Sequence, residues 1–224
     1  IMGVVGSYSN IGYMGPGLTL AALGQDAIVP TALIFVFDNC LLFTLVPFLM
    51  ALGGSEKMKV GATAWYVVKR VATHPFNIAT AVAVLAAYVR FVPPAPVDAM
   101  LTFLKNAAAP CALFTMGVTV ALRPLRQVPR EMPALMLIKL VIHPLLVWVV
   151  LSWIGSFPRA WVFTAVLMAA LPQALNVFVI ANQYQTYVER ASTAILIGTL
   201  ISVLTVTGLL VLMTENRIPV DLFP

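Results

Sequence analysis

The sequence predicts an all-α, polytopic membrane protein, and three observations carry that expectation. Of its 224 residues, 61% are hydrophobic and only 9% charged, with a mean hydropathy of +0.99; soluble domains are nearer half apolar and a quarter charged. The apolar residues collect into runs, several of them as long as the roughly 17–25 residues a helix needs to cross a bilayer. Two of the runs are interrupted by polar, glycine- and proline-bearing breaks, SYSNIGYMGPG from Ser7 to Gly17 and LPQALN from Leu171 to Asn176.

Seven candidate spans follow in order. The first, Ile1 to Leu23, contains the first break, and the second runs from Ala27 to Leu52. A charged, partly amphipathic linker separates them from a short third span, Phe76 to Val92, which PPAP ends. Asp98 to Lys105 forms a short segment before the fourth span, Asn106 to Leu122. After the basic, proline-rich loop RPLRQVPREMP come the fifth span, Ala134 to Ile154, the sixth, Ala160 to Gln183, and the seventh, Ser192 to Met213. Residues 1–53 thus close one half of the chain, 54–75 form a linker, and 76–224 form a second half carrying its own break near 172–176.

The net charge of +5 reflects loop asymmetry rather than a nucleic-acid partner. Lys57, Lys59, Lys69, Arg70, Arg123, Arg126, Arg130 and Arg190 fall in one set of connectors, and Arg90, Lys105, Arg159 and Arg217 in the other. The richer set belongs in the cytoplasm, so the linker at 54–75 and the loop at 123–133 are expected there. Cys40 and Cys111 both lie in apolar runs and are expected as buried thiols rather than a disulfide. The chain starts at Ile1 in an apolar run without a charged leader region, so no signal peptide is expected, and it reads as the downstream part of a longer protein.

Each break is followed by a short polar turn and one further span, and four spans separate the two broken ones. They therefore cross in opposite directions, the pattern of an inverted repeat with discontinuous helices in corresponding places. By symmetry three more spans precede Ile1, making these the last seven of ten. A break at membrane depth is either a packed proline kink or a site, because freed backbone groups must meet protein or a water-filled cavity. Two breaks in corresponding places favour a site. Pro16 can restart a half-helix, since its missing N–H belongs to a first-turn position. Such N-termini carry partial positive charge and free donors suited to an anion. Asn10, Tyr13, Gln173 and Asn176 would add neutral donors, with Pro16 and Pro172 holding the breaks open.

Other polar groups also sit at depth. Asp38 and Asn39 lie in mid-span, where an aspartate costs about 2.5–3.5 kcal/mol on insertion scales and calls for a partner or a cavity. Lys139 and His143 are four apart and share a helix face. All four are candidates for coupling or gating. The alternatives are a structural partner role for Asp38, snorkelling to the interface for Lys139 and a packing role for His143. Nothing in the sequence has the form of a phosphate loop, a dinucleotide fingerprint or a metal-ligand cluster, and Ser152 has no readable base–orienter set. An enzyme is not expected, nor is a cofactor.

The stretches SYSNIGYMGPGLTLAALGQDAI, FDNCLLF, IKLVIHPLLVW, LPQALNVFVIANQY and ERASTAILIGTLISVLT, in this order over nearly the whole chain, resemble bacterial members of the auxin efflux carrier family. That family includes malate and malonate permeases and is related to the plant auxin exporters. The resemblance implies a fold like the bile-acid sodium symporters, with ten spans in two inverted five-span repeats whose fourth and ninth helices are broken and cross. It places Asn10, Tyr13, Gly15 and Pro16 at the first crossover and Pro172, Gln173 and Asn176 at the second. It implies a mobile transport domain containing the first, second, fifth, sixth and seventh spans, and a scaffold with the third and fourth that also forms a homodimer. The expected function is secondary transport of small organic anions across the inner membrane by elevator-type alternating access, in contact with membrane lipids. No carboxylate stands near either break to make a sodium site, so H+ and Na+ both stay open as coupling ions. A ligand-binding membrane sensor without transport is the alternative from another class, and a channel is a third.

Overall fold

The computed structural model describes residues 1–52, 65, 68, 69, 72, 73, 75–122 and 128–223. Among them every regular element is helical, as expected where no water can satisfy backbone groups from outside the segment. Helices α1 (Met2–Ser7) and α2 (Gly15–Leu23) divide the first predicted span. A 3-10 turn, Gly24–Ala27, joins α2 to α3 (Ile28–Leu52). Then come α4 (Pro75–Tyr88) and α5 (Ala95–Ala121). Helix α6 (Met132–Leu137), a π turn (Ile138–Ile142) and α7 (His143–Ile154) follow one another without a gap. Helices α8 (Arg159–Ala170) and α9 (Leu175–Gln183) divide the sixth predicted span, and α10 covers Val188–Thr214. Gly15–Leu42, Met132–Ile154 and Val188–Thr214 are long and apolar enough to cross a membrane, and Arg159–Ala170 is a shorter apolar helix.

Two expectations are corrected here. Asp98 to Lys105 is not a separate segment: α5 runs unbroken from Ala95 to Ala121. Pro96 sits in its first turn, where it needs no partner, and the alanines at 107–109 favour helix strongly enough to carry it past the charged residues. Cys111 is exposed rather than buried, although neither it nor Cys40 enters a disulfide. The predicted linker at 54–75 and half of the loop at 123–133 lie largely outside the described residues.

The chain forms two compact units, Ile1–Thr31 with Ala107–Pro224, and Ala32–Asn106. In the first unit α8 packs against α2, α7 and α10. From Val162 to Ala170 all its residues but Ala165 are buried. A helix of twelve residues is marginal alone, so packing on all sides is what holds it. Arg159 donates from Nη2 to the Met213 carbonyl at 2.8 Å, satisfying an orphan acceptor at the end of α10, and its guanidinium lies 5.1 Å over Phe163. At the other end of α10, Arg190 pairs with Glu131 at 2.6 Å and stacks on Tyr187. The tail folds back along α7, where Trp148 Nε1 donates to Val220 O and Leu222 N to Ser152 Oγ.

In the second unit, Asp38 is half-buried at the middle of α3. Asn39 beside it is buried and donates from Nδ2 to Phe35 O, one turn back, at 2.8 Å. That bond lets a polar side chain sit inside an apolar helix.

Within the first unit the start of α3 is tied to α2. Thr19 Oγ1 donates to Gly15 O at 2.9 Å and lies 2.8 Å from Thr31 Oγ1, with both threonines buried. Replacing Thr19 by valine keeps the shape and deletes the hydroxyl that Thr31 faces. Thr19→Val is expected to destabilise the protein by about 1–3 kcal/mol, read as a lower midpoint in thermal unfolding of the detergent-solubilised protein.

Candidate functional site

The two breaks meet. In the first, Tyr8 N closes the last bond of α1 onto Val4 O, and the chain then runs extended. Met14 N donates to Asn10 O and Leu18 N to Met14 O, which opens α2 with Pro16 in its first turn. In the second, Leu171 and Ala174 are extended on either side of Pro172 and Gln173. Leu171 is driven there because the residue before a proline is excluded from the helical region. Asn10 N donates to Pro172 O at 2.7 Å, and Ser9 and Gln173 face each other in an isolated antiparallel bridge. Each strip thus supplies part of what the other's exposed backbone lacks. Around the crossing, Gly15 lets α2 approach α8: a Cβ there would stand 2.9 Å from Met168 Cε.

Lys139 joins the first strip to the last turn of α8. It is 0% exposed, so it does not snorkel to the interface. Its Nζ donates to Ala169 O at 2.6 Å and to Ser9 Oγ at 2.8 Å, and lies 3.2 Å from His143 Nδ1. Ser9 Oγ donates in turn to Ala169 O at 3.3 Å, and His143 Nδ1 lies 3.2 Å from the same carbonyl. An ammonium has three protons and no lone pair, and a lone pair on Nδ1 gives it three acceptors. Lys139 is carried on the π turn, whose closing bond runs from His143 N to Ile138 O. The widened turn lies directly before Pro144, the residue that cannot donate to the preceding turn and whose ring would crowd it. One-turn π insertions are concentrated at functional sites.

The half-helix N-termini converge as well. Met14, just ahead of α2, and Leu175, the first residue of α9, both pack on Ile195 and Leu196 of α10. Asn176 follows Leu175 in the first turn of α9, half-buried, as Pro16 does Gly15 in α2. Two partial positive ends are therefore set over one patch of α10.

Of the residues singled out in the sequence, Asn10, Pro172 and Gln173 are buried at the crossing, and Pro16 and Asn176 open the two half-helices. Tyr13 is 40% exposed beside them. Lys139 and His143 reach the crossing from their own rod, whereas Asp38 and Asn39 belong to the second unit. The Gln173 side chain turns toward α6 and α10: Nε2 approaches Met136 Sδ at 3.9 Å, and Oε1 lies against Gly198. Ser9, the Ala169 carbonyl and Gly198 make contacts at the crossing that the sequence does not announce. Only Gly198 leaves a signal, as a glycine inside an otherwise apolar helical run.

Gly198 and Gly208 of α10 make a matched pair. A Cβ on Gly198 would strike Gln173 Oε1 and stand 3.0 Å from Gln173 Cδ, whereas nothing lies within 4 Å of one on Gly208. Gly198→Ala is expected to lose about 1–3 kcal/mol through overpacking, and Gly208→Ala to gain up to about 1 kcal/mol. Adding Gln173→Ala should return most of the Gly198→Ala loss; a double-mutant cycle on thermal stability measures that coupling.

Residues 1–210 match the family model described as membrane transport protein. A relative from Rhizobium meliloti (strain 1021), named "Putative malonate transporter", is 52% identical over 224 residues, all of this chain and 70% of that protein. With the all-helical architecture and its three long apolar helices, these matches establish that the chain belongs to the auxin efflux carrier family of membrane transport proteins.

Proposed function

We propose that this membrane transporter moves small carboxylate anions across the inner membrane as a secondary transporter. The observation that carries the reading is the pairing of the two broken helices at Asn10 and Pro172. Non-helical backbone at membrane depth is tolerated only in protein or against a cavity, and half-helix N-termini there point at anionic groups in transporters of this general type. The N-terminal ends of α2 and α9 over Ile195 and Leu196 supply that environment. The name of the Rhizobium meliloti relative supports a short dicarboxylate such as malonate as the first substrate to try.

In this reading Asn10 and Asn176 hydrogen-bond the carboxylate, Tyr13 borders the entry, and Pro16 and Pro172 keep the half-helices apart. Gln173 braces α10 through Met136 and Gly198. The crossing moves as a body in alternating access, within a ten-helix inverted repeat whose scaffold helices pair two copies. Substrate enters the crossing from either side as the body moves, and no covalent chemistry takes place.

The full-length protein in proteoliposomes should take up labelled malonate or malate with saturation. Asn10→Ala and Asn176→Ala should each lower uptake at least about tenfold, equivalent to about 1.4 kcal/mol, while Gly208→Ala leaves it unchanged. Wild-type rates in both asparagine variants would remove the site assignment. Saturable binding with no uptake would point instead to a sensor.

A further inference from the structure

We infer that the crossing contains a built monovalent-cation site and that the Lys139 ammonium permanently fills it. Three features define the site. Its oxygens come from the first break and from the last turn of the helix that feeds the second: Ser9 Oγ and the Ala169 carbonyl, at 2.8 and 2.6 Å from Nζ. The Ala169 carbonyl ends α8, where aligned peptide dipoles leave partial negative charge. Such half-helix C-termini and unwound carbonyls are where broken-helix transporters coordinate a coupling cation. The charge occupying the place is covalently tethered and fully buried, so it cannot exchange with solution. His143 Nδ1 lies 3.2 Å from the same Nζ.

The site has a structural purpose that does not depend on what is transported. Ala169 O accepts from both Lys139 and Ser9, so the ammonium binds the end of α8 to the first break. Lys139 is thus a positioning residue for the crossing. Its consequence for coupling rests on the transport reading: the place a dissolved sodium would take is already held by the Lys139 ammonium.

Thermal unfolding of the full-length protein in detergent, without substrate, reads the site directly. Wild-type protein should show the same midpoint in choline, sodium or ethylammonium chloride. Lys139→Ala should fall by about 10 °C in choline and recover at least half of the loss in ethylammonium, which replaces the deleted charge and stem. Lys139→Met, which fills the stem volume without charge, should stay low and unresponsive. The proposal is overturned by a methionine variant as stable as wild type, by a wild-type midpoint that rises with sodium, or by an alanine variant that ethylammonium does not restore. If the alanine variant folds only when expressed and purified in ethylammonium, that dependence is the predicted result; failure to fold even there counts against the site. Malonate uptake by the same proteins reconstituted in proteoliposomes separates the two readings. A cation-dependent midpoint with no uptake by wild type would remove the transport reading and leave the cation site standing.

Discussion

The hydrogen bond from Asn10 N to Pro172 O is the contact on which the arrangement depends. Two helices are opened inside an apolar chain, and each opening frees donors and acceptors that neither lipid nor a neighbouring turn can satisfy. An unsatisfied group in such surroundings costs several kcal/mol. The strips at Ser9–Asn10 and Pro172–Gln173 satisfy one another only if they lie side by side and antiparallel, as they do. That requirement fixes α1 with α2 against α8 with α9, and so fixes where the two half-helix N-termini come to rest. The burial of nearly all of α8 follows from the same constraint, since the helix feeding the second break must pass through the middle of its unit.

A single backbone pairing would still leave the end of α8 open, and Lys139 closes it. Prolines carry part of this logic in both directions. Pro172 removes a donor at the place where the chain must stop being helical, and Pro144 forces the widened turn that carries Lys139. The π turn is therefore not a defect in a spanning rod. It adds one residue per turn where a long side chain must reach the crossing, while His143 stays one turn away and within 3.2 Å of the same Nζ.

How much of this was legible follows from where the signals lie. Both breaks were readable because glycine, proline and asparagine are poor helix formers and stand out against apolar surroundings. The shared face of Lys139 and His143 was readable from spacing. The burial of Lys139 was not. A spanning helix is apolar all round, so no polar face tells which side meets protein, and the ordinary expectation for a lysine near a helix end is the interface. The pairing of Ser9 with Ala169 and the seat of Gln173 against Gly198 depend on contacts between residues 160 and 25 positions apart, which no local pattern encodes. The continuity of α5 has no plain signal in the sequence, because its charged residues read as a boundary where alanine propensity decides the matter.

The two breaks are alike in role and unlike in construction, and the difference bears on how the crossing works. The second, Leu171–Ala174, is buried throughout and held by Lys139 at its upstream end. The first, Tyr8–Met14, is longer, makes a turn on itself through Ile11 N to Ser9 O and Met14 N to Asn10 O, and brings Tyr13 to the surface. A buried, clamped strip is poorly suited to admit a ligand, whereas a strip with one side at the surface and its own internal bonds can do so without losing its backbone partners. The asymmetry divides the work. In the proposed transport reading the second break would be the fixed edge against which the crossing is built, and the first break, with Asn10 inside and Tyr13 outside, the edge a substrate meets.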